Sequence, residues 1–159
     1  MQAPSENKSD DSKDRFYEEL EQDFHHFPRY HMKILLGDRN AKVGRENIFK
    51  PAIGNDSLLN DSNDNGVRIV NFATSKNLVV KSTMFPHRNI HKCTWTSPDG
   101  LTHNQIGHIL IDRRRHSSII DVRSFSVADW DTDHYQVVAK VMKKLAVGKK
   151  QHRSLKVKI

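Results

Sequence analysis

The chain has 159 residues, 36% of them hydrophobic, and a formal net charge of +7. That length suits one domain of the usual ~100–200 residues, and the low apolar share predicts a small core. No apolar run approaches the ~20 residues of a membrane-spanning helix, and the N-terminus lacks the basic and then apolar layout of a signal peptide. These observations exclude membrane spanning and Sec-type export, so we expect an intracellular protein, with nucleus or cytoplasm left open.

The charge is distributed unevenly along the chain. Residues 1–31 carry −4, whereas residues 139–159 hold eight basic residues and no acidic one. Lys and Arg neutralise phosphates and release counterions, so the basic end indicates a polyanionic partner such as nucleic acid. Residues 148–159 have almost no apolar content, which predicts a disordered, solvated tail. Cys93 is the one cysteine, which excludes an intramolecular disulfide and a Cys-based zinc site; we expect it to be a small residue beside a strand.

Apolar periodicity predicts a mixed α and β fold. Phe16, Leu20, Phe24 and Phe27 recur at helical spacing ahead of Pro28, which predicts a helix over residues 9–27. A second helix is expected around residues 67–73, and the predicted strands cover 32–36, 78–85, 93–96, 104–112, 119–127 and 135–141. Strands outnumber helices and no repeat is visible, so we expect an α+β class with mainly antiparallel pairing.

Two polar residues follow the first predicted strand. Asp38 and Asn40 are two positions apart, so their side chains point the same way if the backbone stays extended. The carboxylate could orient or deprotonate a water, and the amide could donate to a phosphate oxygen. Asp and Asn are also common turn formers in a Gly-bounded loop such as 37–44, so a structural role is the alternative.

An acid and an imidazole stand together before the last predicted strand. Asp133 is a hard oxygen ligand suited to Mg²⁺, and His134 is a natural proton donor or phosphate contact near neutral pH. An Asp-His dipeptide alone is a weak signal, and incidental placement is the alternative. Gly107 is also unusual, because it lies inside a predicted strand, where Gly weakens pairing or marks a bulge or close backbone approach.

Two further clusters contain potential ligands. His87 and His91 form an H-x₃-H pair, but no acid or Cys accompanies them at ligand spacing, so we expect no metal site there. Arg113, Arg114 and Arg115 could grip a phosphodiester backbone, with a solvated basic turn as the alternative.

The order of these motifs resembles the endonuclease/exonuclease/phosphatase family, and within it the apurinic-type endonuclease domain of non-LTR retrotransposons. The resemblance covers about residues 2–147 and is carried by Gly37-Asp38-x-Asn40-Ala41, Thr94-Trp95-Thr96-Ser97, Asn104-Gln105-Ile106-x-x-Ile109-Leu110 and Thr132-Asp133-His134. It implies a four-layered α/β sandwich with an active site at one edge, and DNA phosphodiester hydrolysis that depends on Mg²⁺ or Mn²⁺. The resemblance also implies roles for four residues: Asp38 would activate the attacking water, Asn40 would hold the scissile phosphate, Asp133 would help bind the metal and His134 would contact the phosphate.

Three departures from the family pattern bear on activity. Gly107 stands where the family has an Asp that hydrogen-bonds the histidine and fixes its tautomer. Arg39 occupies a position that is usually apolar or aromatic. Residues 1–5 resemble an internal segment of the family, so we expect residues 1–147 to be a domain that lacks its N-terminal part.

These departures predict weak or absent nicking of DNA by this chain. Two alternatives remain open: a catalytically dead remnant that still binds nucleic acid, and the product of a truncated or decayed element copy that does not fold stably. The sequence does not indicate the oligomeric state.

Overall fold

The computed structural model describes residues 2–38, 40–126, 133–144 and 150–158. Two α-helices are present, α1 (Asp10–His26) and α2 (Asp64–Ser75). The strands are β1 (Ile34–Asp38), β2 (Leu78–Val80), β3 (Trp95–Thr96), β4 (His103–Asn104), β5 (Gly107–Asp112), β6 (Ile119–Phe125), β7 (Gln136–Lys144) and β8 (Lys150–Lys158). Within these ranges no helix is both long and apolar enough to cross a membrane.

Helix α1 begins and ends where the sequence predicts. The side chain of Ser9 accepts a hydrogen bond from the backbone N–H of Ser12, and acidic residues occupy the first turn. The first three members of the predicted apolar stripe pack into the core, with Leu20 buried. Phe27, the fourth, is 61% exposed because it lies past the last helical turn, at the C-cap.

All described strand pairs are antiparallel, which confirms the predicted α+β class. The strands form three sheets, ordered β1-β5-β2, β3-β4 and β6-β7-β8. Alternate residues of the first sheet face opposite ways, as strand geometry requires. Leu110 packs with α1 and α2, whereas Ile109 and Ile111 pack with the sheet that contains β6 and β7. The result is a stack of helices, sheet and sheet, consistent with a partial four-layered sandwich.

Two of the longer predicted strands, 104–112 and 78–85, are interrupted by other local structure. The predicted strand 104–112 is divided into β4 and β5, because the Thr94 hydroxyl accepts the backbone N–H groups of Ile106 and Gly107 at 2.9 and 3.0 Å. In place of the predicted strand 78–85, β2 ends at Val80 and is followed by a 3₁₀ helix, Lys81–Thr83. In that turn Thr83 Oγ1 donates to the Val80 carbonyl at 2.7 Å, a local bond that competes with strand pairing.

Within the segment 148–159, for which the sequence predicts disorder, the described residues Lys150–Lys158 form strand β8. Residues Lys150–Lys158 pair with β7 along its whole length, from Gln136↔Lys158 to Lys144↔Lys150. A strand requires a partner backbone more than apolar side chains, and the free edge of β7 supplies one. The basic segment therefore forms an edge of the β6-β7-β8 sheet.

The loop after β1 is held against the start of α2. Asn63 caps α2 by accepting the Gly66 N–H at 2.8 Å, and the same side-chain oxygen accepts the Lys42 N–H at 3.0 Å. Gly66 lies so close to this loop that a Cβ atom there would be 1.9 Å from the Lys42 carbonyl oxygen. Gly66 is therefore required by close backbone approach.

We expect Gly66→Ala to lower the free energy of unfolding by about 1–3 kcal/mol, because the added methyl group overlaps the Lys42 carbonyl. Urea unfolding followed by circular dichroism measures this change. Asn71→Ala is the matched control, since Asn71 is exposed on the same helix, and it should change stability by less than about 0.5 kcal/mol. Equal effects of the two substitutions would contradict the close approach.

Candidate functional site

The structure brings the motif segments together at one edge of the first sheet. Asp38, the last residue of β1, pairs in register with Gly107, the first residue of β5. Thr94 then joins β5 to the segment before β7: its hydroxyl accepts the Gly107 N–H, and its carbonyl accepts the Tyr135 N–H at 2.9 Å. His134 in turn forms a β-bridge with Trp95. Four segments that are distant in sequence therefore meet here.

The backbone at Asn40 differs from the expectation. Its φ is +46°, a left-handed conformation that Asn tolerates better than most residues. Extended backbone was the condition for Asp38 and Asn40 to point the same way, and that condition is not met at Asn40. The side chain of Asp38 and the whole of Arg39 lie outside the described residues.

The amide of Asn40 has a partner near the N-terminus of the chain. Its Nδ2 donates to the Ala3 carbonyl at 2.7 Å. The buried Asn65 secures the same region, since its Nδ2 donates to the carbonyls of Pro4 and Asn40 at 3.1 and 3.2 Å. The resemblance assigns the Asn40 amide to a phosphate. One of its N–H bonds instead holds the loop after β1 through the Ala3 carbonyl.

Asp133 and His134 lie side by side. His134 Nε2 is 3.7 Å from Asp133 Oδ1, a distance that allows an ion pair when the imidazole is protonated. The other oxygen, Asp133 Oδ2, accepts the indole N–H of Trp95 at 2.7 Å. Trp95 thus orients this carboxylate, a role that sequence reasoning missed although the residue stood in a quoted motif.

Thr96 extends the same hydrogen-bonded cluster. Its hydroxyl donates to Tyr135 Oη at 3.0 Å and lies 2.9 Å from His103 Nδ1. The neighbouring Cys93 is buried and its thiol contacts the Trp95 carbonyl at 3.0 Å, which fits the expected small residue beside a strand. The Thr-Trp-Thr motif therefore links strand β3 to the segment that carries Asp133 and His134.

His108 is a buried residue that sequence reasoning did not single out. Its side chain is fully enclosed, with Nε2 2.9 Å from the Ala41 carbonyl and Nδ1 3.0 Å from the Ser82 hydroxyl. A carbonyl only accepts, so the bond to Ala41 assigns the proton to Nε2, and Nδ1 then accepts from Ser82. His108 ties the loop after β1 to the central strand, and a single His in an apolar run offered no signal of this role.

The described residues do not fit a Mg²⁺ or Mn²⁺ site. These cations prefer several oxygen ligands, whereas no group of three or more His, Cys, Asp or Glu residues in the described part of the chain is placed to hold a metal ion. Gly107 adds no side-chain oxygen at the position facing Asp38. Asp133 is the carboxylate described at this edge, and one of its oxygens is bonded to Trp95.

His87 and His91 each contact another residue of the domain. His87 Nε2 forms a short contact with Asp121 Oδ1, and Arg123 binds the other carboxylate oxygen at 2.9 Å. His91 Nδ1 lies 3.2 Å from the Ser124 carbonyl. Burial raises the pKa of Asp121, but the hydrogen bonds and charges of His87 and Arg123 outweigh it and hold that pKa below its ordinary value.

The fold defines an α+β domain, and comparison with known proteins adds a more particular likeness. The chain is 34% identical over 143 residues to craniofacial development protein 2 of Bos taurus, and 34% identical over 139 residues to the same protein of Tragulus javanicus. These alignments cover 90% and 87% of the chain but 24% of each relative, so the chain spans about a quarter of their length. No protein-family model matches the chain. No solved structure matches it.

We expect Asp121→Asn to destabilise the protein in a pH-dependent way. The pKa of Asp121 in the folded state is lower than the ordinary value of 3.8. The ionised carboxylate therefore contributes fully to the free energy of unfolding above pH 3.8, and this contribution is lost as the pH falls through the folded-state pKa. The stability difference from wild type should therefore be largest near pH 6 and shrink towards pH 3.

Urea unfolding at pH 3, 4 and 6 tests this dependence. Asp61→Asn is the control, because Asp61 is an exposed acid, and it should leave stability nearly unchanged at each pH. A difference for Asp121→Asn that stays constant across this range would show that the pairing with His87 and Arg123 does not carry the effect.

Proposed function

We propose that this chain is an endonuclease-like domain of retroelement origin, whose ancestral activity was Mg²⁺-dependent nicking of DNA and whose hydrolytic activity is weak or absent. The observation that carries the proposal is the pairing of Gly107 with Asp38 at the edge where the motifs meet. The motif order, the layered α+β fold and the similarity to craniofacial development protein 2 support the nuclease-like assignment.

The loss of a carboxylate at position 107 removes an orienting group. Phosphodiester hydrolysis depends on positioned charge, and a histidine that contacts a phosphate must be held in one tautomer. In serine proteases the loss of the acid that orients the histidine lowers kcat by ~10⁴. The acid described beside His134 is its own neighbour Asp133, which Trp95 also engages.

In the proposed ancestral reaction, the other motif residues would have the roles that the resemblance implies. Asp38 would activate water, His134 would contact the phosphate, and Asp133 would contribute to metal binding. Asn40 would contact the phosphate through its amide, although that amide also donates to Ala3. The described residues alone do not fit the metal, so we derive no step through it.

A second candidate function is nucleic-acid binding without hydrolysis. Residues 139–159 carry eight basic residues and no acid, and much of this segment forms the adjacent strands β7 and β8. The pairing of β8 with β7 brings the backbone of two parts of this basic segment into one sheet. A segment with this charge attracts a phosphodiester backbone through counterion release.

We expect the purified chain to nick supercoiled plasmid no faster than its Asp38→Ala variant in Mg²⁺ or Mn²⁺, because the orienting acid is missing. Gly107→Asp should raise metal-dependent nicking, whereas Gly107→Asn, of equal size and no charge, should not. Agarose gel analysis of the plasmid measures each rate, and thermal melts confirm that each variant folds. Robust nicking by the wild type that Asp38→Ala abolishes would refute the proposed loss of activity.

We expect the chain to bind a short DNA duplex in EDTA with an affinity that falls steeply as salt increases, because phosphate contacts release counterions. Fluorescence anisotropy between low and moderate salt measures this dependence. A flat dependence on salt would dismiss the binding hypothesis. A sharp cooperative melt of the same sample serves as the control, and it would argue against a decayed product that does not fold.

A further inference from the structure

Many cationic side chains in the described residues contact a carboxylate. Arg68 binds Asp10, Asp14 and Asp64, and the buried Lys13 lies 3.0 Å from Asp64. Lys76 likewise pairs with Glu21, and Arg123 with Asp121. Two lysines near the far end of β5, Lys50 and Lys81, instead contact neutral groups.

Lys50 is the first of these cations. Its ammonium donates to the side-chain oxygen of Asn47 at 2.9 Å and makes a short contact with the side-chain oxygen of Asn55. Both acceptors are neutral amides. They hold the ammonium in one place but do not neutralise its positive charge.

Lys81 is the second, and it is only 7% exposed. Its Nζ lies 3.2 Å from His116 Nδ1 and 5.0 Å from the centroid of the Phe85 ring, and burial lowers its pKa. An ammonium has three N–H donors, whereas these contacts supply one ring nitrogen and one aromatic face, neither of them an anion. When the ammonium donates to Nδ1, the neutral imidazole carries its own proton on Nε2.

Two adjoining cavities lie beside these residues. One, of about 380 Å³, is lined by Lys50, Arg113 and His116 together with Asn55. The other, of about 300 Å³, is also lined by Lys50 and Arg113, and by Asn71. Arg113 belongs to both and is the first residue of the 3₁₀ helix Arg113–Ser118. A solvated anion fits such a space, since a water molecule takes about 30 Å³.

This cluster is separate from the edge that carries the nuclease-like motifs. Arg113 directly follows Asp112, the last residue of β5, whereas Gly107 is the first. Strand residues rise about 3.4 Å each, so β5 places the two sites roughly 17 Å apart. One phosphate cannot contact both.

We propose that Lys50, Arg113 and His116, supported by Lys81, form a phosphate-binding site whose ligand is a backbone phosphate of nucleic acid. Arg113 would bind the phosphate oxygens in bidentate fashion, Lys50 would act as a point charge, and His116 would donate through Nε2. Arg114 and Arg115 continue the basic surface along the same 3₁₀ helix, which suits an extended polyanion better than an isolated phosphate. The choice of nucleic acid as the phosphate source rests on the proposed function.

The test compares three substitutions that each remove one positive charge. Lys50→Gln and Arg113→Gln alter the site, and Arg15→Gln is the control on the exposed surface of α1; all three residues are exposed, so folding should be preserved. Binding of a short DNA duplex is followed by anisotropy in EDTA over a range of salt. We expect each site variant to weaken binding about threefold to tenfold and to reduce the salt slope by about 0.9 per lost contact, with little change for Arg15→Gln.

Inorganic phosphate provides a second measurement that does not depend on DNA. Its titration should shift the NMR signals of the His116 ring in the wild type and not in Arg113→Gln. Duplex binding that is unchanged in both site variants, or reduced equally by Arg15→Gln, would overturn the site while leaving DNA binding by the chain intact. Phosphate-induced shifts of His116 in a chain that does not bind the duplex would support the anion site and overturn nucleic acid as its ligand.

Discussion

The structure depends on β5, a strand buried on both faces at the centre of the first sheet. Ile109, Leu110 and Ile111 are fully enclosed, with Leu110 in the core beneath the helices and its two neighbours in the core between the sheets. A strand that packs on both sides couples the two cores, so neither layer can shift without the other. The two candidate sites lie at the two ends of this strand, one at Gly107 and the other just after Asp112.

The two ends of β5 differ in their electrostatics. At the start, Gly107 meets Asp38, and the neighbouring Asp133 is oriented by an indole N–H rather than by a cation. At the far end, Lys50 and Lys81 contact neutral acceptors. A positive charge that is not paired with a carboxylate favours an anion, and the amide acceptors of Lys50 stay neutral at any ordinary pH. The proposals of weakened hydrolysis at one end and of phosphate binding at the other rest on this difference.

Local patterns predicted the elements that local interactions stabilise. Helix α1 was predictable because its cap at Ser9, its apolar spacing and Pro28 are all close in sequence. The division of β4 from β5 was not, because the Thr94 hydroxyl that captures two backbone N–H groups lies more than ten residues away. Strand β8 was missed for a related reason: composition describes the segment, whereas its structure depends on the free edge of β7.

The sequence by itself determined the α+β class, the positions of both helices and the chemical types of the candidate residues in their order. Tertiary structure decided which of them meet: Gly107 opposite Asp38, Trp95 on Asp133, and Lys81 behind His116. It also corrected the expected geometry at Asn40, whose left-handed backbone accompanies bonds to Ala3 and Asn65. These outcomes depend on partners that are distant along the chain. Packing of those partners decides which charges are neutralised and which side chains are oriented.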